Sequence, residues 1–298
     1  MKKILTAALL LTTSLFAQNA GESGLSFLKI GTSAKNIAVS DIGYLDGSVS
    51  SVYYNPAAVN LNNSANVLFT HQAWIQDISS QFVGANFKLW GIPLSIGANT
   101  TKIKGFEVRT QPTDNPQSTF NVNYFYGNLS SGFDLYENLS FGFSLKYLYE
   151  SFFTDDATGI GYDLGLIYSN VAENLNLGFS VRNLGSMNKL RHEKTKLPSD
   201  FILNATYVIS VESASLKILP VLGIQNYFAS KLAHIHIGSE VVYDNNFFLR
   251  LGYVSGVESR NISFGLGVLY KGFMLDYAFT PFSYGIGNAN TISLQYLF

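Results

Sequence analysis

The sequence predicts an all-β transmembrane barrel of about 14 antiparallel strands, preceded by an irregular N-terminal segment. Three observations predict it. The first is composition: aromatic residues make up 14% of the chain and charged residues only 13%, with 26 glycines. That is apolar enough for lipid, yet after Ala17 nothing supplies the roughly 18 uninterrupted apolar residues of a membrane helix. A closed barrel is the other way to satisfy every backbone polar group in a bilayer. The second is period-2 alternation that starts at Asn66 and persists to the end of the chain. The third is the stretch Asn288 to Phe298, where Ile292, Leu294, Tyr296 and Phe298 share one face and Ser293 and Gln295 the other. A free apolar strand edge invites aggregation, and pairing with the first strand removes it.

Charge, cysteine content and the N-terminus narrow the class further. A net charge of −1 gives no electrostatic footprint for nucleic acid. The absence of cysteine excludes disulfides, thiolate metal sites and a lipid-anchored cysteine. Residues 1–17 read as a signal peptide: Lys2 and Lys3 form a basic start, Ile4 to Phe16 an apolar run, and Leu15-Phe16-Ala17 a cleavage site before Gln18. The run is short for a retained membrane anchor, so the mature chain is expected in a bacterial envelope.

Residues 18–64 form the next unit. Gly21, Gly24, Gly31, Gly43 and Gly47 punctuate short apolar pieces without sustained alternation, so this unit is expected to be compact and not part of the wall. It ends in Tyr53-Tyr54-Asn55-Pro56-Ala57-Ala58-Val59. Asn55 suits an N-cap, Pro56 suits the first helical position, where its missing N–H costs nothing, and the alanines favour a short helix.

Residues 65–298 are expected to form the barrel. Strands are predicted near 66–75, 79–90, 92–104, 119–131, 138–152, 159–170, 173–184, 200–211, 214–228, 231–243, 246–256, 260–271, 272–281 and 288–298. Leu139, Phe141, Phe143, Leu145, Tyr147 and Tyr149 share one face, against Ser140, Gly142, Ser144, Lys146 and Glu150. If the first strand starts from the periplasm, even-numbered connections should be tight turns and odd-numbered ones longer outer loops. Trp90-Gly91-Ile92, 170–173, 243–246 and 270–272 fit the first kind, and the long stretches 105–118 and 185–199 fit the second. The charges of those long stretches, among them Arg109, Asp114, Lys189, Arg191, Glu193, Lys194 and Lys196, are expected mainly to keep them solvated.

On the face away from lipid the alternation collects Lys146, Asp163 and Arg182 on consecutive strands, with Arg250 and Asp276 further round. Charges in a narrow lumen are costly unless paired, which predicts an ion-pair network bracing the wall against the early segment; a role in solute binding stays open. Of the four histidines, His71, His192, His234 and His236, the last two lie two apart on one strand face. They offer two ligands to a metal, with Glu240 the nearest third candidate, and no metal or cofactor is expected. No nucleophile motif, phosphate loop or dinucleotide fingerprint is present, so no enzymatic activity is expected.

Several pieces, in order, resemble the PorV/PorQ family of outer-membrane barrels, which is similar to the FadL long-chain fatty acid transporters. They are Phe27-Leu28-Lys29-Ile30-Gly31 with Ala34-Lys35, then Tyr53-Tyr54-Asn55-Pro56-Ala57, Gly161-Tyr162-Asp163-Leu164-Gly165, Val181-Arg182-Asn183-Leu184-Gly185 with Lys196-Leu197-Pro198, Gly272 to Phe279, and Thr291 to Phe298. The resemblance implies fourteen strands, an outer-membrane location in a diderm bacterium, and residues 18–64 folded as a plug in the periplasmic end, with Lys35, Asn55, Pro56 and Ala57 as its motif. It also implies that Tyr296 and the terminal Phe298 form the signal read by the assembly machinery. Lys35 stands where the family usually has Arg, losing planar bidentate pairing, and Ala38-Val39-Ser40 replaces a Gly/Met-rich stretch.

Two functions follow from the resemblance. One is accessory to protein secretion of the type IX kind, with outer loops touching exported cargo or secretion machinery. The other is FadL-like transport or binding of hydrophobic small molecules through a plugged lumen. Large outer loops would favour the first, and an apolar path from outside to the plug the second.

Overall fold

The computed structural model describes residues 23–61, 64–229 and 233–298; the expected signal peptide, 1–17, and residues 18–22 lie outside the described residues. The wall consists of β1 (Asn66–Ala73), β2 (Ile78–Leu89), β3 (Ile92–Val108), β4 (Ser118–Tyr136), β5 (Leu139–Phe152), β6 (Asp155–Ala172) and β7 (Leu175–Met187). It continues with β8 (Asp200–Tyr207, resumed at Ile209–Val211), β9 (Leu216–Tyr227), β10 (Ala233–Tyr243), β11 (Phe247–Val254), β12 (Ile262–Tyr270), β13 (Phe273–Pro281) and β14 (Asn288–Leu297). Each strand pairs with its sequence neighbours in one antiparallel sheet. β14 returns to β1, with Asn66 opposite Leu297 and Ala73 opposite Asn290, so no edge is left free.

Alternation becomes an outside and an inside. Val67, Phe69, Phe143, Leu145, Leu249, Leu251, Ile292 and Leu294 face lipid, while Thr70, Ser144, Arg250 and Ser293 are buried in the lumen. Trp90, Tyr136 and Tyr270 are strongly exposed at or beside the even-numbered turns, as side chains of an interfacial girdle are. Those turns are short: 90–91, 137–138, 173–174, 244–246 and 271–272.

The long outer stretches are shorter than predicted. The β3–β4 ladder resumes past a bulge after Ile103, pairing Phe106 with Phe120 and Val108 with Ser118, so only 109–117 connects the two strands. Gly105 takes the bulge at φ +86, a backbone that suits a residue without Cβ. β7 likewise runs on to Met187, and the connection 188–199 carries its own ladder of Lys189–Leu190 against Glu193–Lys194. β6 starts at Asp155, four residues earlier than predicted, because Phe153 and Thr154 make a two-residue turn.

Residues 24–61 lie inside this wall. They form a 3₁₀ turn (Ser26–Lys29), α1 (Ala34–Ala38), α2 (Val49–Tyr54) and a second 3₁₀ turn (Pro56–Asn60). Ser33 and Ser48 cap α1 and α2, each accepting from a backbone N–H three residues on. The segment is too short of regular structure to satisfy its own backbone, and inward side chains of the wall complete it. Gln72 Nε2 donates to the Gly31 carbonyl at 2.6 Å, Asn86 Nδ2 to Gly47 at 3.1 Å, Ser180 Oγ to Tyr54 at 2.7 Å and Asn204 Nδ2 to Gly43 at 3.0 Å. The segment is not confined to the periplasmic end: Gly24 N–H donates to the Lys196 carbonyl of the outer 188–199 connection at 3.0 Å.

Wall glycines make room for this segment. A Cβ on Gly142 would collide with the Ala57 nitrogen and the Pro56 carbonyl carbon, and one on Gly165 with the Asn55 side chain. Gly142→Val is therefore expected to leave the barrel closed but push residues 55–57 off β5, at about 1–3 kcal/mol of overpacking. The check is retained heat-modifiable mobility together with new protease cleavage inside residues 23–61; resistance equal to wild type would contradict the packing.

Candidate functional site

The Asn55-Pro56-Ala57 motif is a clamp on the β6–β7 seam. Asn55 Oδ1 accepts the Ala57 N–H at 3.0 Å, while its Nδ2 donates to the carbonyls of Leu166 and Phe179 at 3.0 and 3.2 Å. Leu166 and Phe179 face each other across that seam. One amide thus caps a turn of the inner segment and joins it to two wall strands.

The five lumen charges divide into two clusters. In the first, β7 bulges at Asn183, which takes φ +54, and the register with β6 shifts between Tyr162 and Leu164. The extra residue buries both Arg182 and Asn183 in the lumen. Asp163 accepts the Asn183 N–H at 2.7 Å and pairs with Lys146 Nζ at 2.7 Å; that ammonium also donates to Asn183 Oδ1 at 2.8 Å. Arg182 pairs instead with Asp200, opposite it on β8, through Nε at 3.1 Å and Nη2 at 2.6 Å. This is the two-pronged geometry that a guanidinium offers a carboxylate. Lys146 and Arg182 both sit 5.4 Å from the ring centre of Tyr53, which carries the wall cluster onto α2. Asp200 escaped the sequence reading because it is the first residue of its strand, where a shift of one position decides between loop and lumen.

Arg250 organises the second cluster, donating from Nε to Glu240 at 2.5 Å and from Nη1 to Asp276 at 2.6 Å. All three are buried. Glu240 stands on the same face as His234 and His236, but its carboxylate serves Arg250, while the two histidine Nδ1 atoms meet the carbonyls of Ser255 and Ser40. Among the described residues no group of three His, Cys, Asp or Glu side chains could hold a metal ion.

Lys35 of α1 pairs with Asp46 and lies 4.8 Å over the Tyr44 ring. Burial opposes the charge of Lys35, but Asp46 holds it above the ordinary lysine range. Burial likewise opposes Asp46, yet Lys35, the Ser51 hydroxyl and the Ser48 N–H hold it well below the ordinary carboxylate range. Tyr296 packs on Phe273 and Phe298 at the lipid face, with ring centres 4.6 and 4.7 Å apart.

A further feature is a line of aromatic side chains on the inner face of β4. Phe120 meets Phe106 of β3, Phe152 of β5 and Phe153 of the β5–β6 turn, with centroid distances of 5.3, 5.2 and 5.0 Å, at the outer rim. Going inward, Tyr124 and Tyr126 follow at every second residue, and Phe27 and Tyr53 of the inner segment stack on them. The line is legible as an inversion of the alternation. Asn121 and Asn123 face outward beyond the bilayer while Phe120, Val122, Tyr124 and Tyr126 face in; lower down, Leu129 and Phe133 face lipid.

Two outcomes test the charges. Asp276→Ala leaves Arg250 with Glu240 alone and should cost about 3 kcal/mol, read as a lower urea midpoint; Arg250→Met should cost more, because it leaves two buried carboxylates, Glu240 and Asp276, without their cation, and an unchanged Asp276→Ala midpoint would contradict the pairing. For Lys35 and Asp46 the sign follows from their shifts. The depressed Asp46 contributes stability above its unfolded value of about 3.9 that is lost as pH falls through the folded value. The raised Lys35 contributes stability below about 10.4 that is lost as pH rises through the folded value. Resistance of the inner segment to denaturant should therefore be flat near neutrality and fall below about pH 4, and Asp46→Asn should flatten that acid limb.

No protein-family model matches the chain, and no curated protein matches it significantly in sequence. Among solved structures it is similar to CymD, a monoaromatic hydrocarbon channel, at 12% identity and a TM-score of 0.61, covering 90% of this chain and 98% of that one. It is similar to TodX, the toluene transporter of P. putida, at 12% identity and a TM-score of 0.60, covering 90% and 99%. The fold is that of an outer-membrane β-barrel, and the outer membrane is its location.

Proposed function

We propose that the protein binds hydrophobic small molecules from outside and passes them through a lumen that its own residues 23–61 plug. The observation that carries this is the aromatic line from Phe106, Phe120 and Phe152 at the rim, through Tyr124 and Tyr126, to Phe27 of the inner segment. An apolar molecule gains by leaving water at every point of that path, and flat rings gain additionally by stacking. Similarity in fold to channels for toluene and other monoaromatic hydrocarbons supports the same reading. In it the two buried charge clusters hold the plug in place and touch no solute.

The secretion-accessory role is the second reading. It draws on the β3–β4 hairpin, whose Glu107 and Arg109 pair at 2.9 Å among exposed residues of its tip and could meet exported cargo. The connections beyond the paired strands are short for that role.

Cells carrying or lacking the protein separate the two. The initial rate of toluene uptake is expected to rise several-fold with the protein and to fall most of the way back to the protein-free rate with Phe120→Asp, which puts a charge on the apolar path. Equal uptake in all three strains, with loss of exported proteins when the barrel is absent, would replace transport by the secretion role.

A further inference from the structure

Six carboxylates are buried among the described residues, and five of them face a cation. Asp163 has Lys146, Asp200 has Arg182, Glu240 and Asp276 share Arg250, and Asp41 lies 3.5 Å from Arg260. The sixth is Glu150, which is 6% exposed and pairs with no Lys, Arg or His among the described residues. Its Oε1 accepts the Thr195 hydroxyl of the outer 188–199 connection, and its Oε2 has no hydrogen-bond partner among the described residues. Lys196, next to Thr195, is exposed and does not pair with it. Burying a carboxylate is costly unless a cation accompanies it, so a carboxylate kept here without one points to a cation that arrives from outside.

The surroundings suit an organic cation. Glu150 stands directly opposite Tyr124 across the β4–β5 ladder, on the inner face that carries the aromatic line. Opposed side chains of an antiparallel pair have Cβ atoms about 5 Å apart, so the carboxylate and the tyrosine ring border one spot. Phe152 lies two residues outward on the same face of β5, is 42% exposed, and meets Phe120 at 5.2 Å between ring centres. A carboxylate beside aromatic faces recognises an ammonium group twice over: it supplies the opposite charge, and the rings attract the cation through their π faces while covering its apolar part. A metal ion is not served by this set, because one carboxylate among rings offers it too few ligands.

We propose that Glu150, with Tyr124, Phe120 and Phe152, forms a subsite at the outer mouth for the ammonium group of an aromatic amine. This rests on the transport reading above and narrows its solute class. Arylalkylammonium ions bind better than neutral molecules of the same shape, and aromatic carboxylates are repelled. A neutral hydrocarbon still gains from the rings but gains nothing from Glu150. The amine sits between Phe27 and the rim, so the inner segment stays in place.

Benzylammonium, benzyl alcohol and benzoate share nearly one shape and differ in charge. Each is titrated at neutral pH, by calorimetry, into the full-length barrel in detergent, with heat-modifiable mobility confirming that each variant is folded. Wild type is expected to bind benzylammonium about tenfold more tightly than benzyl alcohol, and to bind benzoate more weakly than either. Glu150→Gln keeps the size and the acceptor for Thr195 but not the charge; it should abolish the preference and leave benzyl alcohol unchanged. Phe152→Leu should weaken benzylammonium several-fold and benzyl alcohol by less. Benzyl alcohol bound by wild type as tightly as benzylammonium, or a preference that survives Glu150→Gln, would overturn the ammonium subsite while leaving transport standing. No binding of any aromatic molecule, toluene included, would overturn transport and the subsite with it.

Discussion

Everything in this protein depends on polar satisfaction inside a closed wall. Closure against β1 frees the outer face to be apolar, but it encloses residues 24–61 with few partners except the inward side chains. The wall answers with small and polar residues: Gln72, Asn86, Ser180 and Asn204 bond the segment's carbonyls, and Gly142 and Gly165 let its backbone come close. Buried charges follow the same rule. Lys146, Arg182 and Arg250 each meet one carboxylate or more, and breaking any pair would strand a charge that water does not reach.

The first charge cluster and the Lys35–Asp46 pair act at different places. Arg182 and Lys146 bear on Tyr53 and so on α2, while Lys35 and Asp46 tie the start of α1 to the turn before α2. With Asn55 across β6 and β7, these contacts fix the segment from α1 to Asn60. The turn that carries Phe27 lies next to the outer connection 188–199 and is buried with Tyr53 and Tyr126 in the same core, its Leu28 carbonyl held by the Tyr53 hydroxyl.

Most of the wall was legible from residue pattern alone, because a side chain in a barrel strand faces either lipid or lumen and leaves a period of two. Strand number and turn parity followed from that pattern and from the lengths of the connections. What escaped it were the places where the period breaks. The bulge at Asn183 puts Arg182 and Asn183 on the same side, and Asp200 sits on a strand boundary, so the partner of Arg182 was not foreseen. On β4 the alternation inverts where the strand leaves the bilayer, which hid the aromatic line behind what reads as ordinary lipid-facing residues. The motif Asn55-Pro56-Ala57 announced a capped turn, but its grip on two carbonyls of the wall is a tertiary fact that no local pattern contains. The likeness to hydrocarbon channels likewise concerns the fold, at 12% identity.

Amide hydrogen exchange of the folded barrel, read segment by segment, tests the central claim most directly. A segment completed by the wall should exchange slowly from Ser26 to Asn60, at rates close to those of the strands. Fast exchange across α1 and α2, comparable to the 109–117 connection, would mean that the lumen is not filled in the way described and would contradict the account.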